Sequence, residues 1–138
     1  MVATGTMRAI FYLTLTAIFL SCKGNADAEN HDVNIEKRDC SDAESDAEDA
    51  NSYCSKAYNA YDVEEAKDYL KKAVRSFDDA MSNAEDCNCD DAQYSADEGY
   101  TYAKRGYYSE DFEVMKAYAR KAKNSANDMI SNANDCTD

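Results

Sequence analysis

Small apolar residues recur every three or four positions through most of this chain. Ala43, Ala47, Ala50, Cys54, Ala57 and Tyr61 make one run, and Val63, Ala66, Leu70, Ala73, Phe77, Ala80 and Ala84 make a second. Two more runs hold the same register: Ala92, Ala96, Gly99, Ala103 and Gly106, then Phe112, Met115, Ala119, Ala122, Ala126, Met129 and Ala133. Alternating steps of three and four put each run on one stripe of a helix, so the pattern predicts four amphipathic helices. Seams built from alanine and glycine let helix backbones approach closely, and Tyr53, Tyr69, Tyr102 and Tyr118 flank them where their rings can cover the seam. The periodicity lapses at "YNAYD" and "YYSED", where Asp62 or Asp111 can cap a returning helix. Asp62 and Glu65 also have capping-box spacing. The chain has no proline and only four glycines, which suits helices and leaves little material for long loops.

The four runs form two copies of one unit. A shift of 49 residues lays 40–87 over 89–136 without a gap, matching Asp42 with Asp91, Tyr53 with Tyr102, Tyr58 with Tyr107, Asp62 with Asp111, Tyr69 with Tyr118, and a closing Ser-Asn-Ala in each. Each unit therefore reads as a helical hairpin, and the pair as an all-α, up-down-up-down antiparallel four-helix bundle over 40–138. Around the first turn, "YNAYDVEEAKDYLKKAV" resembles the turn and second helix of a tetratricopeptide repeat, with Ala66, Tyr69, Lys72 and Ala73 at that family's favoured places. The resemblance implies a helix-turn-helix. It does not extend to a peptide-binding superhelix, because this period of 49 differs from the family's period of about 34 and there are two units only.

Each unit begins and ends on cysteine, and Asn88 alone separates Cys87 from Cys89. An antiparallel hairpin puts its first and last residues side by side. The spacing therefore favours two staples, Cys40 with Cys87 and Cys89 with Cys136, over a strained Cys87–Cys89 ring or crossed pairings. Cys54 aligns with Ala103 on the seam and reads as a small buried thiol rather than a nucleophile.

The first 21 residues read as a signal peptide. The apolar stretch Ala9–Leu20 follows Arg8, and its twelve residues fall short of the roughly 20 that a bilayer span requires. "FLSC", ending at Cys22, resembles the relaxed lipobox of exported bacterial lipoproteins of the Bacteroidetes type, which implies lipidation of Cys22 and an envelope location. "ADA" at 26–28 offers an ordinary cleavage site and Lys37-Arg38 a dibasic one, and all three readings agree on export. Residues 22–39 are polar and aperiodic and read as a tether. The only histidine, His31, falls there.

Charge narrows the function classes. With 28 acidic against 15 basic residues the net charge is −13, which argues against nucleic acid or anionic lipid as a primary partner and leaves a lipid anchor as the expected membrane contact. No Ser-His-Asp set, glycine-rich phosphate loop or H-E-x-x-H occurs, so neither catalysis nor a cofactor is expected. Folded as hairpins, the chain collects acid at the cysteine end, while "KAYNAY" and "KRGYY" gather tyrosine and cations at the loop end. Tyr58, Tyr107 and Tyr108 with Lys56, Lys104 and Arg105 are the expected partner-binding residues, since aromatic and cationic side chains dominate binding hot spots. The expected role is an envelope interaction or inhibitor module. The alternative is weak divalent-cation binding at the acidic pole, without an EF-hand loop, or a purely structural surface lipoprotein.

Overall fold

The computed structural model describes residues 39–137. The expected signal segment 1–21, Cys22 with its expected lipid, and the expected tether up to residue 38 lie outside the described residues. Four helices follow one another: α1 (Ser41–Tyr58), α2 (Val63–Asp86), α3 (Asp90–Tyr107) and α4 (Phe112–Thr137). There is no strand among the described residues. Neighbouring helices pack around a square, α1 on α2 and α4, α3 on α2 and α4, and the diagonals barely meet. The bundle of two hairpins is thus as the periodicity predicts.

The helix boundaries have local causes. Asp62 accepts from Glu65 N at 2.8 Å, and Glu65 reaches back to accept from Tyr61 N at 2.9 Å, one residue before the cap. Asp111 caps α4 by accepting from Val114 N at 3.0 Å. Between the units α2 stops in a Schellman motif: Cys89 N donates to Ala84 O and Asn88 N to Glu85 O, each at 2.9 Å. Asn88 carries the left-handed backbone this needs, with φ 53°, and asparagine tolerates that conformation better than most residues. A one-residue joint can therefore reverse the chain between two stapled hairpins.

The seam residues fill the interior as expected, except that Val63 and Phe112 at the starts of α2 and α4 are half-buried against the core and Tyr61 lies outside it. Ala43, Ala47, Ala50, Cys54 and Ala57 of α1 are buried, and the run then continues through Ala60, while Tyr61 stands 93% exposed. The helix ends at Tyr58, so the 3.6-residue period no longer governs position 61, and the smaller Ala60 closes the end. Tyr53, Tyr69 and Tyr102 lie half-buried against the core, as the flanking positions suggest.

Alanine seams would leave voids if both units carried only small residues. The four bulky interior side chains alternate between the repeat-equivalent helices: Leu70 and Phe77 on α2 stand where α4 has Ala119 and Ala126, and Met115 and Met129 on α4 stand where α2 has Ala66 and Ala80. No two large side chains therefore meet at repeat-equivalent positions, and at the Ala73/Ala122 and Ala84/Ala133 levels both helices carry alanine. The larger of the four bulky side chains also need room opposite: at Gly99 a methyl group would lie 2.7 Å from Phe77 Cδ1 and closer still to Cε1 and Cζ, and at Gly106 it would lie 3.1 Å from Leu70 Cδ1. Glycine is required at 99 because the Phe77 ring fills the space of a Cβ.

Both staples form. Cys40 and Cys87 are bonded with their Cα atoms 5.5 Å apart, and Cys89 and Cys136 with theirs 6.0 Å apart. Beside them the repeat makes a matching polar clamp in each hairpin. Asn83 Nδ2 donates to Asp46 Oδ2 at 2.7 Å, and its counterpart Asn132 donates to Ser95 Oγ at 3.0 Å. No buried side-chain polar atom among the described residues lacks a hydrogen bond.

Candidate functional site

Two different ends result from this topology. The disulfide end carries acid on the first turns of α1 and α3, Asp42, Glu44, Asp90 and Asp91, which favours helix N-termini. It also carries Glu85, Asp86 and Asp135 near the C-termini of α2 and α4, where the dipole disfavours them and no basic residue occupies the last turn. Burial pushes the Asp46 carboxyl above its ordinary range, an effect that the Asn83 hydrogen bond opposes and the neighbouring Asp79, Asp49 and Asp42 reinforce. No group of three His, Cys, Asp or Glu side chains among the described residues is placed to hold a metal ion.

The loop end carries the tyrosines and cations singled out from the sequence, but the structure divides them among three places. Tyr58, 43% exposed, borders a shallow groove with Tyr61, Glu113, Lys116 and Arg120. Tyr108, 70% exposed, with Lys104 and Arg105 borders a second groove of about 650 Å³ on the outer face of α3 and α4. Lys56 borders neither of these two. Its ammonium lies 5.3 Å from the Tyr53 ring centre and 6.0 Å from that of Tyr69, on the α1–α2 face, because helical spacing carries position 56 around the cylinder from position 58.

Tyr107, expected among the partner-binding residues, does not stand free. It is half-buried and packs on the core cluster, while Tyr108 at the helix end turns outward and meets it edge-on at 5.0 Å between ring centres. Tyr107 is the repeat counterpart of Tyr58, yet the two differ in exposure.

Sequence reasoning missed Tyr100, Val114 and Tyr118, which line the larger groove. Tyr100 precedes Lys104 and Tyr108 by one and two helical turns, so the three form a ridge along α3. Lys104 Nζ donates to the Tyr100 hydroxyl at 3.2 Å, which holds the ammonium above the usual lysine range, and the nearby Tyr108 adds to this. The opposite wall is Val114 and Tyr118 on α4, one turn apart. Val114 was detectable in the sequence: an apolar residue at the capping-box position, where the first unit has Glu65, does nothing for the helix start.

A tyrosine–lysine cluster occurs in both hairpins. Lys72 Nζ lies 5.9 Å from the Tyr53 ring centre and 5.4 Å from that of Tyr69, and Lys121 Nζ lies 5.5 Å from Tyr102 and 5.6 Å from Tyr118. Each cluster ties the first helix of a hairpin to the second through cation–π contact. Their occurrence in both units marks them as scaffold. Cys54 is inert in this setting, since burial pushes its thiol up to about 12 and no disulfide engages it. No helix among the described residues is long and apolar enough to cross a membrane. No protein-family model, curated protein or solved structure matches the chain, so its own geometry carries the functional argument.

Proposed function

We propose that this chain is an exported, lipid-anchored interaction or inhibitor module of the cell envelope that binds a protein partner through the loop end of its bundle and performs no catalysis. The observation that carries the reading is the asymmetry of the two ends. One is stapled and acidic. The other exposes Tyr58, Tyr61, Tyr108 and Val114 among Lys104, Arg105, Lys116 and Arg120, with Asp62, Glu64, Glu110, Asp111 and Glu113 exposed beside them, so that it mixes aromatic, cationic and acidic side chains. The three tyrosines and Val114 border two separate grooves at the same end, and exposed large side chains gathered at one end of a fold mark interaction surfaces. The chain enters the bundle at Cys40, at the acidic end, so a lipid on Cys22 would hold that end nearer the membrane than the loop end. Anionic headgroups repel the acidic end over about 8 Å, which favours the loop end facing outward.

Photo-crosslinking in native cells tests the surface. A crosslinker at position 108 of the full chain is expected to capture a protein that one at position 94 does not, since Tyr94 is 66% exposed but lies on α3 nearer the stapled end. Equal capture at both positions, or none at 108, refutes the loop-end site. The anchor is tested separately by mass spectrometry of native material, where an unlipidated N-terminus at Glu29 or Asp39 would remove it.

A further inference from the structure

The two units share a backbone plan, so positions where they differ in chemistry show what one unit does beyond folding. At four places bordering the larger groove the second unit has Tyr100, Lys104, Tyr108 and Val114, while the first has Asn51, Ser55, Asn59 and Glu65. Three of the first unit's residues are occupied by its own fold. Asn51 Nδ2 donates to Asn127 Oδ1 on α4, Asn59 Nδ2 donates to Ser55 O at 2.8 Å, and Glu65 accepts from Tyr61 N at 2.9 Å. The second unit forgoes the last two of these local bonds and displays Tyr108 at 70% and Val114 at 43% exposure in their place. Tyr108 gains an edge-on contact with Tyr107 yet keeps most of its surface exposed, and a local backbone bond given up for an exposed side chain is characteristic of a functional surface.

The groove's chemistry specifies the ligand. Its lining includes Lys104 and Arg105 and no carboxylate, in a chain whose net charge is −13. The wall on α3 presents aromatic, cation, aromatic at successive helical turns, a step of roughly 6 Å. Same-face side chains of an extended peptide recur at a similar step, roughly 6.6 Å. Val114 and Tyr118 supply the facing apolar wall. We infer that the groove between α3 and α4 binds an extended acidic peptide segment of a partner protein, in the order apolar, any residue, acidic, any residue, apolar. The acidic side chain meets Lys104 and Arg105, and the apolar ones lie beside Tyr100 and Tyr108. The inference rests on the loop-end reading above and names its partner's chemistry.

Fluorescence anisotropy with the full-length chain provides the test. The probe is a labelled GLTETLG peptide, and its control is the uncharged twin GLTQTLG. The acidic peptide is expected to bind about tenfold more tightly than the twin, as two partly exposed charge pairs permit. That preference is expected to shrink as salt rises. The quadruple replacement Tyr100→Asn, Lys104→Ser, Tyr108→Asn, Val114→Glu installs the first unit's residues and is expected to abolish binding while melting normally. If it fails to fold, Lys104→Ser, at an exposed position, is expected to cut the charge preference to about threefold, since the Arg105 pair remains, and an undiminished preference overturns the inference. Equal binding of the two peptides, binding retained by the quadruple variant, or binding of a trigalacturonate probe in place of the peptide overturns the inference. Those results leave the loop-end site standing if position 108 still crosslinks a partner. Loss of that crosslink refutes the site itself.

Discussion

Gly99→Ala isolates the packing logic of this bundle in one methyl group. In a helix interior alanine is favoured over glycine by about 0.8–1.0 kcal/mol, so on local grounds the replacement should stabilise α3. The structure predicts the opposite. The added carbon would lie within van der Waals distance of three atoms of the Phe77 ring, and Phe77 is fully buried, so the ring cannot swing into solvent. Overpacking a filled core costs about 1–3 kcal/mol, and a three-atom overlap belongs at the upper end. The difference leaves a net loss of about 2 kcal/mol, or roughly 10 °C in Tm for a domain of this size. Combining the change with Phe77→Ala reverses its sign. Phe77→Ala alone costs about 3–5 kcal/mol, but with the ring gone Gly99→Ala recovers about 1 kcal/mol, a coupling of about 3 kcal/mol. Repeat symmetry supports this, because the equivalent pair in the other interface is Ala50 and Ala126. Urea unfolding followed by circular dichroism at 222 nm, with both disulfides intact, measures all four corners of the cycle. A wild-type-background effect within about 0.5 kcal/mol of zero, the range of ordinary surface changes, would refute the argument. So would an equal effect in both backgrounds.

Replacing Cys40 and Cys87 together by serine should cost up to about 4 kcal/mol, the loop-closure value for a ring of this size, and the second pair the same. Thermal unfolding with and without reductant checks this, and an unchanged Tm contradicts it. Cys54 should resist thiol reagents in the folded protein and react fully in denaturant, because burial keeps it protonated. Rapid labelling of native protein would contradict its placement in the core. Asp46→Asn should raise Tm at about pH 7. Since the folded state binds the Asp46 proton more tightly than the unfolded chain, its charge destabilises the fold above the raised pKa, and the penalty disappears as pH falls through the carboxylate range. The advantage of the variant should therefore vanish by about pH 3, and a constant difference at all pH values would reject burial as its cause.

How much of this was legible beforehand depends on the range of the interaction concerned. Helix stripes, caps at Asp62 and the repeat itself are local or periodic, and they follow from residue order alone. The disulfide partners were legible because an antiparallel hairpin leaves each first and last cysteine only one partner at matching height. Tyr61 was misjudged because a stripe extrapolated beyond the helix end ceases to describe the chain. Lys56 was grouped with Tyr58 by nearness in sequence, although two positions along a helix point about 200° apart around its axis.

What the sequence by itself determined is therefore the four amphipathic helices, their pairing into hairpins, the stapled end and the accumulation of acid there. Each depends on contacts whose spacing is set by helical geometry or by chain connectivity. Only the tertiary structure decided which faces of the two hairpins meet, that Phe77 takes the space left by Gly99, and that Tyr100, Tyr108, Val114 and Tyr118 border one groove. The reason is that two nearly identical seams could mate in several registers by pattern alone. Volume selects among them, because Leu70, Phe77, Met115 and Met129 each stand where the repeat-equivalent helix has alanine.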